Sequence, residues 1–276
     1  MKRILITFAL FILGVSAFAL KPSKTYAAKP GDYGITVQEV KIETEDNLTL
    51  KGWFYESAKP SNKIVIISGN GDGNMADYIE IATNFTSLGF NVLTYDYRGY
   101  GESQDFKINE NFYIYAQFEK DLNAAISWVR KYNSKMKTVD LYGIGIGGAL
   151  SIAVGANRGG DVFQVIADSP YSKLEDIKKK IKEIEGKDVL LPLGYNKYML
   201  EPYYALESKG TGVYSVLFIC GELDNVYTID DTKTLSKVQK NRSQVYVVKG
   251  ATRFETFTKD KNAYFEEIKN YLKSPQ

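Results

Sequence analysis

Histidine does not occur in this chain of 276 residues, and cysteine occurs once, as Cys220. Histidine is the usual general base of serine and cysteine hydrolases and the commonest protein ligand of transition metals. A single cysteine excludes an intramolecular disulfide and any metal site built from several cysteines. We therefore expect no metal centre and no cofactor. Cys220 is expected to be a small packed residue at a strand end, because nothing beside it in the sequence would lower the pKa of its thiol.

A strong charge of either sign is also missing, since 35 lysines and arginines face 33 aspartates and glutamates. Removing residues 1–27 takes away four of the basic residues and none of the acidic ones, which leaves 31 against 33. A nearly neutral protein gives no reason to expect binding to nucleic acid or to an anionic membrane surface. Hydrophobic residues make up 44% of the chain, which is sufficient for one large globular domain.

No apolar run reaches the roughly 20 residues that a membrane-spanning helix needs. The apolar stretch 4–18 follows two basic residues and has the length of the hydrophobic part of a signal peptide. Small residues offer cleavage after Ala19 or after Ala27. We predict that residues 1–27 are a signal peptide, that the protein is exported to the periplasm or outside the cell, and that the mature chain has no integral membrane span. An uncleaved anchor is the alternative.

Beyond residue 36, short apolar patterns typical of strands alternate with amphipathic patterns typical of helices. The predicted strands are 37–42, 48–55, 63–68, 91–95, 138–142, 163–167, 215–220 and 244–248. The predicted helices are 78–88, 116–132, 148–156, 231–238 and 262–272. Such alternation predicts an α/β protein with a mostly parallel central sheet and helices on both faces. We divide the mature chain into a tether, 28–36, and a domain, 37–276, with a small cap inserted at about 173–209.

Five segments, most of them rich in glycine or aspartate, punctuate this alternation. They are 68–74 (SGNGDGN), 88–103 (LGFNVLTYDYRGYGES), 141–148 (LYGIGIGG), 167–171 (ADSPY) and 220–224 (CGELD). In this order they resemble motifs of the α/β-hydrolase superfamily, particularly of its monoacylglycerol-lipase-like and serine-aminopeptidase-like members. The resemblance runs from about residue 37 to the end of the chain and implies the α/β-hydrolase fold.

The third of these segments falls where the superfamily carries its nucleophile elbow, G-x-S-x-G, with the serine on a sharp strand-to-helix turn. The residue at the serine position is Gly145. The resemblance implies that the turn is kept, because Gly143 and Gly147 let the strand and the helix approach closely, and that the nucleophile is lost. The nearest serine, Ser151, lies inside a predicted helix.

The resemblance also locates the other two members of the usual catalytic triad. Asp224 matches the family's aspartate, whereas the histidine position is Arg253 or, in another register, Thr252. Arginine stays protonated near neutral pH and a threonine hydroxyl is too weak a base. We expect Arg253 to form an ion pair with Asp224. The alternatives are a solvent-facing Arg253 and an Asp224 that stabilises only its own loop.

The oxyanion hole is the remaining part of the family's site. Ser68 replaces the histidine that often begins the oxyanion loop, while Asn70 and the backbone N–H of Ile146 stay where the donors are expected. Without a serine side chain, this helix N-terminus would suit a carboxylate, a phosphate or a carbonyl oxygen, or would hold water. Asp72 is an alternative base, but it has no positioned nucleophile.

Together these features predict an exported, non-catalytic α/β-hydrolase-like protein, a pseudoenzyme, with a pocket between the carboxyl edge of the sheet and the cap. Its partner would be an unidentified small ligand or an envelope protein. The predicted binding residues are Ser68, Asn70, Gly145, Ile146, Asp224 and Arg253. One alternative is an esterase, lipase or peptidase with an atypical catalytic set. Another is a purely protein-interacting module that docks through its cap or its tyrosine-rich surface.

Overall fold

A computed structural model describes residues 20–132, 138–239 and 241–273, and an eight-stranded sheet runs through its centre. The strands in chain order are β1 Gln38–Glu43, β2 Thr49–Tyr55, β3 Ile64–Ser68, β4 Asn91–Tyr95, β5 Val139–Ile144, β6 Val162–Asp168, β7 Ser215–Gly221 and β8 Arg242–Val248. Their spatial order is β8-β7-β6-β5-β3-β4-β2-β1. The pairs β1–β2 and β2–β4 are antiparallel and the other neighbours are parallel, which confirms the mostly parallel sheet.

Helices cover both faces of the sheet, as the alternating pattern predicted. The described helices are α1 Ile79–Ser87, α2 Phe118–Tyr132, α3 Ile146–Asn157, α4 Leu174–Glu185, α5 Lys197–Leu200, α6 Pro202–Lys209, α7 Ile229–Val238, α8 Thr256–Lys259 and α9 Lys261–Lys273. Successive side chains of a strand point to opposite faces. In β3, Ile64 and Ile66 therefore join one apolar core, whereas Val65 and Ile67 join the other.

The segment predicted as a cap contains α4, α5 and α6, which lie between β6 and β7. Two ion pairs tie α4 to neighbouring parts of the domain: Lys180 pairs with Asp231 on α7, and Glu185 pairs with Arg253 in the loop after β8. By contrast, the buried residues of α6 belong to the same apolar core as α3. The inserted segment is thus attached to the domain through α4 and through α6.

The predicted signal peptide lies outside the described residues as far as residue 19. Within the predicted tether, Pro30–Tyr33 forms a 3₁₀ helix, and Lys29 pairs with Glu102 of the domain at 2.9 Å. Lys29 and the buried Pro30 therefore attach this segment to the domain, while Tyr33 is exposed. In the ranges that the structure describes, no helix is both long enough and apolar enough to cross a membrane.

A buried ion pair holds the loop after β4 against α2. Arg98 is 1% exposed, and its Nε donates to Asp121 Oδ1 at 2.8 Å while its backbone N–H donates to Asp121 Oδ2 at 3.0 Å. Asp46 provides a second carboxylate at 2.7 Å. Burial raises the pKa of Asp121 to about 6, so its carboxylate is ionised at pH 8 and needs the guanidinium.

We expect Arg98→Met to lower the free energy of unfolding by about 3–5 kcal/mol at pH 8, because it leaves the Asp121 charge buried without its partner. The control is Lys120→Met, which breaks an exposed ion pair with Glu45 and should cost less than about 1 kcal/mol. Denaturant unfolding of both variants measures the difference. If both variants lost the same free energy of unfolding, the buried Arg98–Asp121 pair would stabilise the protein no more than an exposed ion pair does.

Candidate functional site

The turn between β5 and α3 has the sharp geometry that the resemblance implied. Gly145 has a φ of 56° and a ψ of −115°, and its N–H donates to the carbonyl oxygen of Asp168 on β6 at 2.8 Å. A side chain in such a conformation costs roughly 1–3 kcal/mol in backbone strain. The chain therefore keeps the turn while carrying the one residue type that adopts it without strain.

Close packing of backbone on backbone fixes the position of this turn. A Cβ atom on Gly143 would lie 2.2 Å from the carbonyl oxygen of Gly147, and a Cβ on Gly147 would lie 2.2 Å from the carbonyl oxygen of Ser68. No side chain fits at either position without moving the strand or the helix. This confirms the prediction that small residues there allow the strand and the helix to approach.

The ring of Phe254 covers the place where a nucleophile would project. A Cβ atom on Gly145 would lie 3.0 Å from Phe254 Cε1 and 3.3 Å from Asn70 Cβ. Phe254 itself has a φ of 59°, a conformation uncommon for an aromatic residue, and its ring packs against Tyr227 at 5.7 Å between centroids. The sequence comparison pointed to residues 252 and 253 and missed Phe254, because without a histidine the register of this loop cannot be fixed.

Arg253 makes its ion pair with α4. Its Nη2 lies 3.2 Å from Glu185 Oε1 at the end of α4, and both side chains are largely buried. The ion-pair partner of Arg253 is thus Glu185, whereas we had expected Asp224. The charge of Arg253 still reaches Asp224, where it is one of the influences that lower the pKa of the carboxyl.

Asp224 is held by its own loop. Its Oδ1 accepts hydrogen bonds from the backbone N–H groups of Val226 and Tyr227, both at 2.9 Å, whereas Oδ2 has no hydrogen-bond partner among the described residues. Burial raises the pKa of this carboxyl, and the two N–H donors and the nearby Arg253 charge lower it only in part. Of the two roles considered for Asp224, loop stabilisation is therefore the one with direct contacts.

A cavity of about 540 Å³ lies beside the turn. Its lining residues are Leu20, Asn70, Gly71, Asp72, Tyr113, Ile146, Leu223, Asn225, Tyr227, Thr252, Arg253, Phe254 and Glu255. Asn70, Ile146 and Arg253 thus line the same cavity. Ser68 does not line it: it is fully buried at the end of β3, and its hydroxyl bonds to that of Tyr95 at 3.0 Å.

The oxyanion loop is only partly open to a ligand. The backbone N–H of Asn70 donates to the hydroxyl of Tyr78 at 2.9 Å, and that hydroxyl donates to Asn70 Oδ1 at 3.1 Å. One of the two expected donors is therefore engaged within the protein. Ile146 is the first residue of α3, where backbone N–H groups have no partner within the helix. Of the two expected donors, the N–H of Ile146 is therefore the one that can bond to a ligand.

Comparison with known proteins supports the superfamily assignment. The family model described as serine aminopeptidase, S33, matches residues 58–193. The chain is similar to protein YfhR of Escherichia coli O157:H7, with 25% identity over 95% of this chain and 88% of that protein. It is also similar to protein bem46 of Schizosaccharomyces pombe, with 23% identity over 74% of this chain and 66% of that protein.

Solved structures share the fold. The esterase Pf2001 of Pyrococcus furiosus superposes with a TM-score of 0.73 and 21% identity, covering 92% of this chain and 98% of that one. The α/β hydrolase GrgF of a Penicillium species superposes with a TM-score of 0.64 and 19% identity, covering 87% and 98%. At these identities the likeness establishes the architecture alone.

We expect Gly145→Ala to lower the free energy of unfolding by about 1–3 kcal/mol, because it strains the backbone and brings a methyl group against Phe254. Gly31→Ala is the matched control, since a Cβ there meets nothing within 4 Å, and its effect should stay within about 0.5 kcal/mol. Thermal and denaturant unfolding measure both. A Gly145→Ala variant as stable as the control would contradict the geometry described for the turn.

The raised pKa of Asp224 predicts a pH-dependent effect of Asp224→Asn. A carboxyl whose folded pKa lies above its unfolded value stabilises the protein at low pH and loses that contribution as pH rises through the folded pKa. We therefore expect the stability of Asp224→Asn relative to the native chain to increase with pH. Asp224→Ala should be less stable than Asp224→Asn by about 1–3 kcal/mol at all pH values, because two buried N–H groups lose their acceptor. A flat difference for Asp224→Asn between pH 4 and 9 would refute the assignment.

Proposed function

We propose that this chain, which belongs to the α/β-hydrolase superfamily, binds a small molecule outside the cytoplasm and does not hydrolyse it. The proposal rests mainly on the residue at position 145 and on its surroundings. The elbow turn is present, but it has no nucleophilic side chain, and the ring of Phe254 lies over it. A mutation that had merely removed the serine would leave that space open.

The chemistry of the neighbouring residues argues in the same direction. With no histidine in the sequence and Arg253 ion-paired to Glu185, the loop after β8 offers no proton acceptor of the usual kind. An oxyanion hole and substrate binding alone retain only about 10³–10⁴-fold acceleration over water. Here one of the two expected donors, the N–H of Asn70, already bonds to Tyr78.

The cavity supports binding of a small molecule. Its volume of about 540 Å³ is within the range of roughly 300–1,000 Å³ that is usual for ligand sites. Its lining mixes aromatic and aliphatic side chains with six polar or charged ones, so it is more polar than most ligand sites and favours a polar small molecule. Two of the lining residues, Tyr113 and Tyr227, form a buried hydroxyl pair at 3.0 Å, and a third, Ile146, has a backbone N–H without a partner inside α3.

A ligand search with cavity variants tests the proposal. We expect native mass spectrometry or a thermal-shift screen of small molecules to find a ligand whose binding is lost in Asn225→Trp, which narrows the cavity at its exposed rim. Asn62→Trp is the control, because Asn62 lines a different cavity beside Phe54 and Tyr132. Equal binding by both variants would remove the site from this cavity. Binding only to a protein of the cell envelope would favour the docking alternative.

We expect no hydrolysis of short acyl esters or aminoacyl anilides above a buffer blank. Gly145→Ser should not create activity, because no base is available, and Gly145→Ser with Arg253→His should also fail while Phe254 occupies the space above residue 145. The decisive measurement uses the unmodified protein with an active-site-directed fluorophosphonate. Stoichiometric labelling of any serine would identify the chain as a hydrolase with an atypical catalytic set.

A further inference from the structure

We infer that processing cuts the Ala19–Leu20 bond, and that residues 20–26, which we name the strap, remain as one wall of the ligand cavity. The sequence alone left two cleavage sites open, after Ala19 and after Ala27. The inference rests on the proposed export for its peptidase, but the role of the strap in the domain stands on contacts of the described residues alone.

The strap begins with a short parallel pairing to the oxyanion loop. Lys21 and Pro22 pair with Asp72 and Gly73. The N–H of Lys21 donates to the carbonyl oxygen of Gly71, and the N–H of Ser23 donates to that of Gly73, both at 3.0 Å. The loop that lies beside Ile146 is thus held from outside by backbone hydrogen bonds from the strap.

The middle of the strap is bonded to two further loops. The side-chain Nδ2 of Asn74, a residue only 6% exposed, donates to the carbonyl oxygens of Ser23 and Thr25, the latter at 2.9 Å. The N–H of Gly101 donates to the carbonyl oxygen of Ser23 at 2.9 Å. Without the strap, the Asn74 amide would lose both of these acceptors.

Tyr26 closes the strap over a buried carboxylate. Its hydroxyl donates to Asp96 Oδ2 at 2.6 Å and accepts from the N–H of Glu102 at 3.1 Å. Its ring lies 4.9 Å from that of Trp53, which is 1% exposed. Burial raises the pKa of Asp96 to about 6, and the hydrogen bond from Tyr26 acts against that rise. Loss of Tyr26 would therefore uncover both an indole and a carboxylate that the fold has enclosed.

Leu20 links the strap to the cavity. It is 1% exposed, it lines the cavity, and its N–H lies 3.5 Å from the carbonyl oxygen of Phe112. Cleavage after Ala27 would remove this wall together with all the contacts above. Cleavage after Ala19, in which a signal peptidase uses water to release an Ala19 carboxylate and a Leu20 ammonium group, leaves every one of them in place.

Amino-terminal sequencing of the protein exported from a bacterium that expresses the full chain tests the processing site. We expect a sequence that begins at Leu20. Ala19→Tyr should abolish this start, because the residue before the cut must be small, whereas Ala27→Tyr should leave it unchanged. A start at Ala28 in the native protein, or at Met1, would overturn the assignment.

A second measurement tests the strap without export or a known ligand. Chains produced to begin at Leu20 and at Ala28 are compared by thermal unfolding, and we expect the shorter chain to unfold at a temperature lower by about 5 °C or more. Tyr26→Phe in the longer chain should fall between them, since it keeps the ring on Trp53 and loses the bond to Asp96. Equal unfolding temperatures for the two chains would overturn the structural role of the strap. Failure to find a ligand would contradict the proposed function and leave this comparison unaffected.

Discussion

At the junction of β5 and α3, the backbone of Gly145 turns with a positive φ, and its N–H is held by the carbonyl of Asp168 on the next strand. The turn works only because strand and helix approach to backbone contact at Gly143 and Gly147. Everything else at the site is arranged around this turn. The first residue of α3, Ile146, lines the cavity together with residues of the loops after β3 and β8.

Gly145 and Phe254 pack as a pair at the elbow, where the resemblance expects a serine. An absent side chain at the elbow leaves a gap, and the ring of Phe254 lies against it at the cost of a positive φ. Each residue thus accommodates the other. Arg253, beside this ring, turns its guanidinium to Glu185 of α4, so the loop that would carry a catalytic base instead holds the cap.

The sequence predicted the eight strands and the helices α1, α2, α3, α7 and α9 well, because buried parallel strands are continuous apolar runs and surface helices have a clear period. It predicted the site less completely. The contact of Phe254 with the elbow depends on the conformation of a loop, and the partner of Arg253 lies 68 residues away on α4. Ser68 lies away from the cavity, and its sequence position does not reveal the hydrogen bond that it makes with the hydroxyl of Tyr95. The sequence left cleavage after Ala19 or after Ala27 open, because it does not show that Leu20 lines the cavity.

The pairing of Lys21–Pro22 with Asp72–Gly73 joins parts of the chain about 50 residues apart through two residues on each side. So short a ladder closes a long loop, which makes it one of the last contacts to form and one of the first to open when the native protein fluctuates. Opening there would separate Leu20 from the oxyanion loop while leaving the sheet and the cap intact. Such an opening would widen the cavity at the wall that Leu20 forms, so the accessibility of the cavity depends on a contact of only four residues.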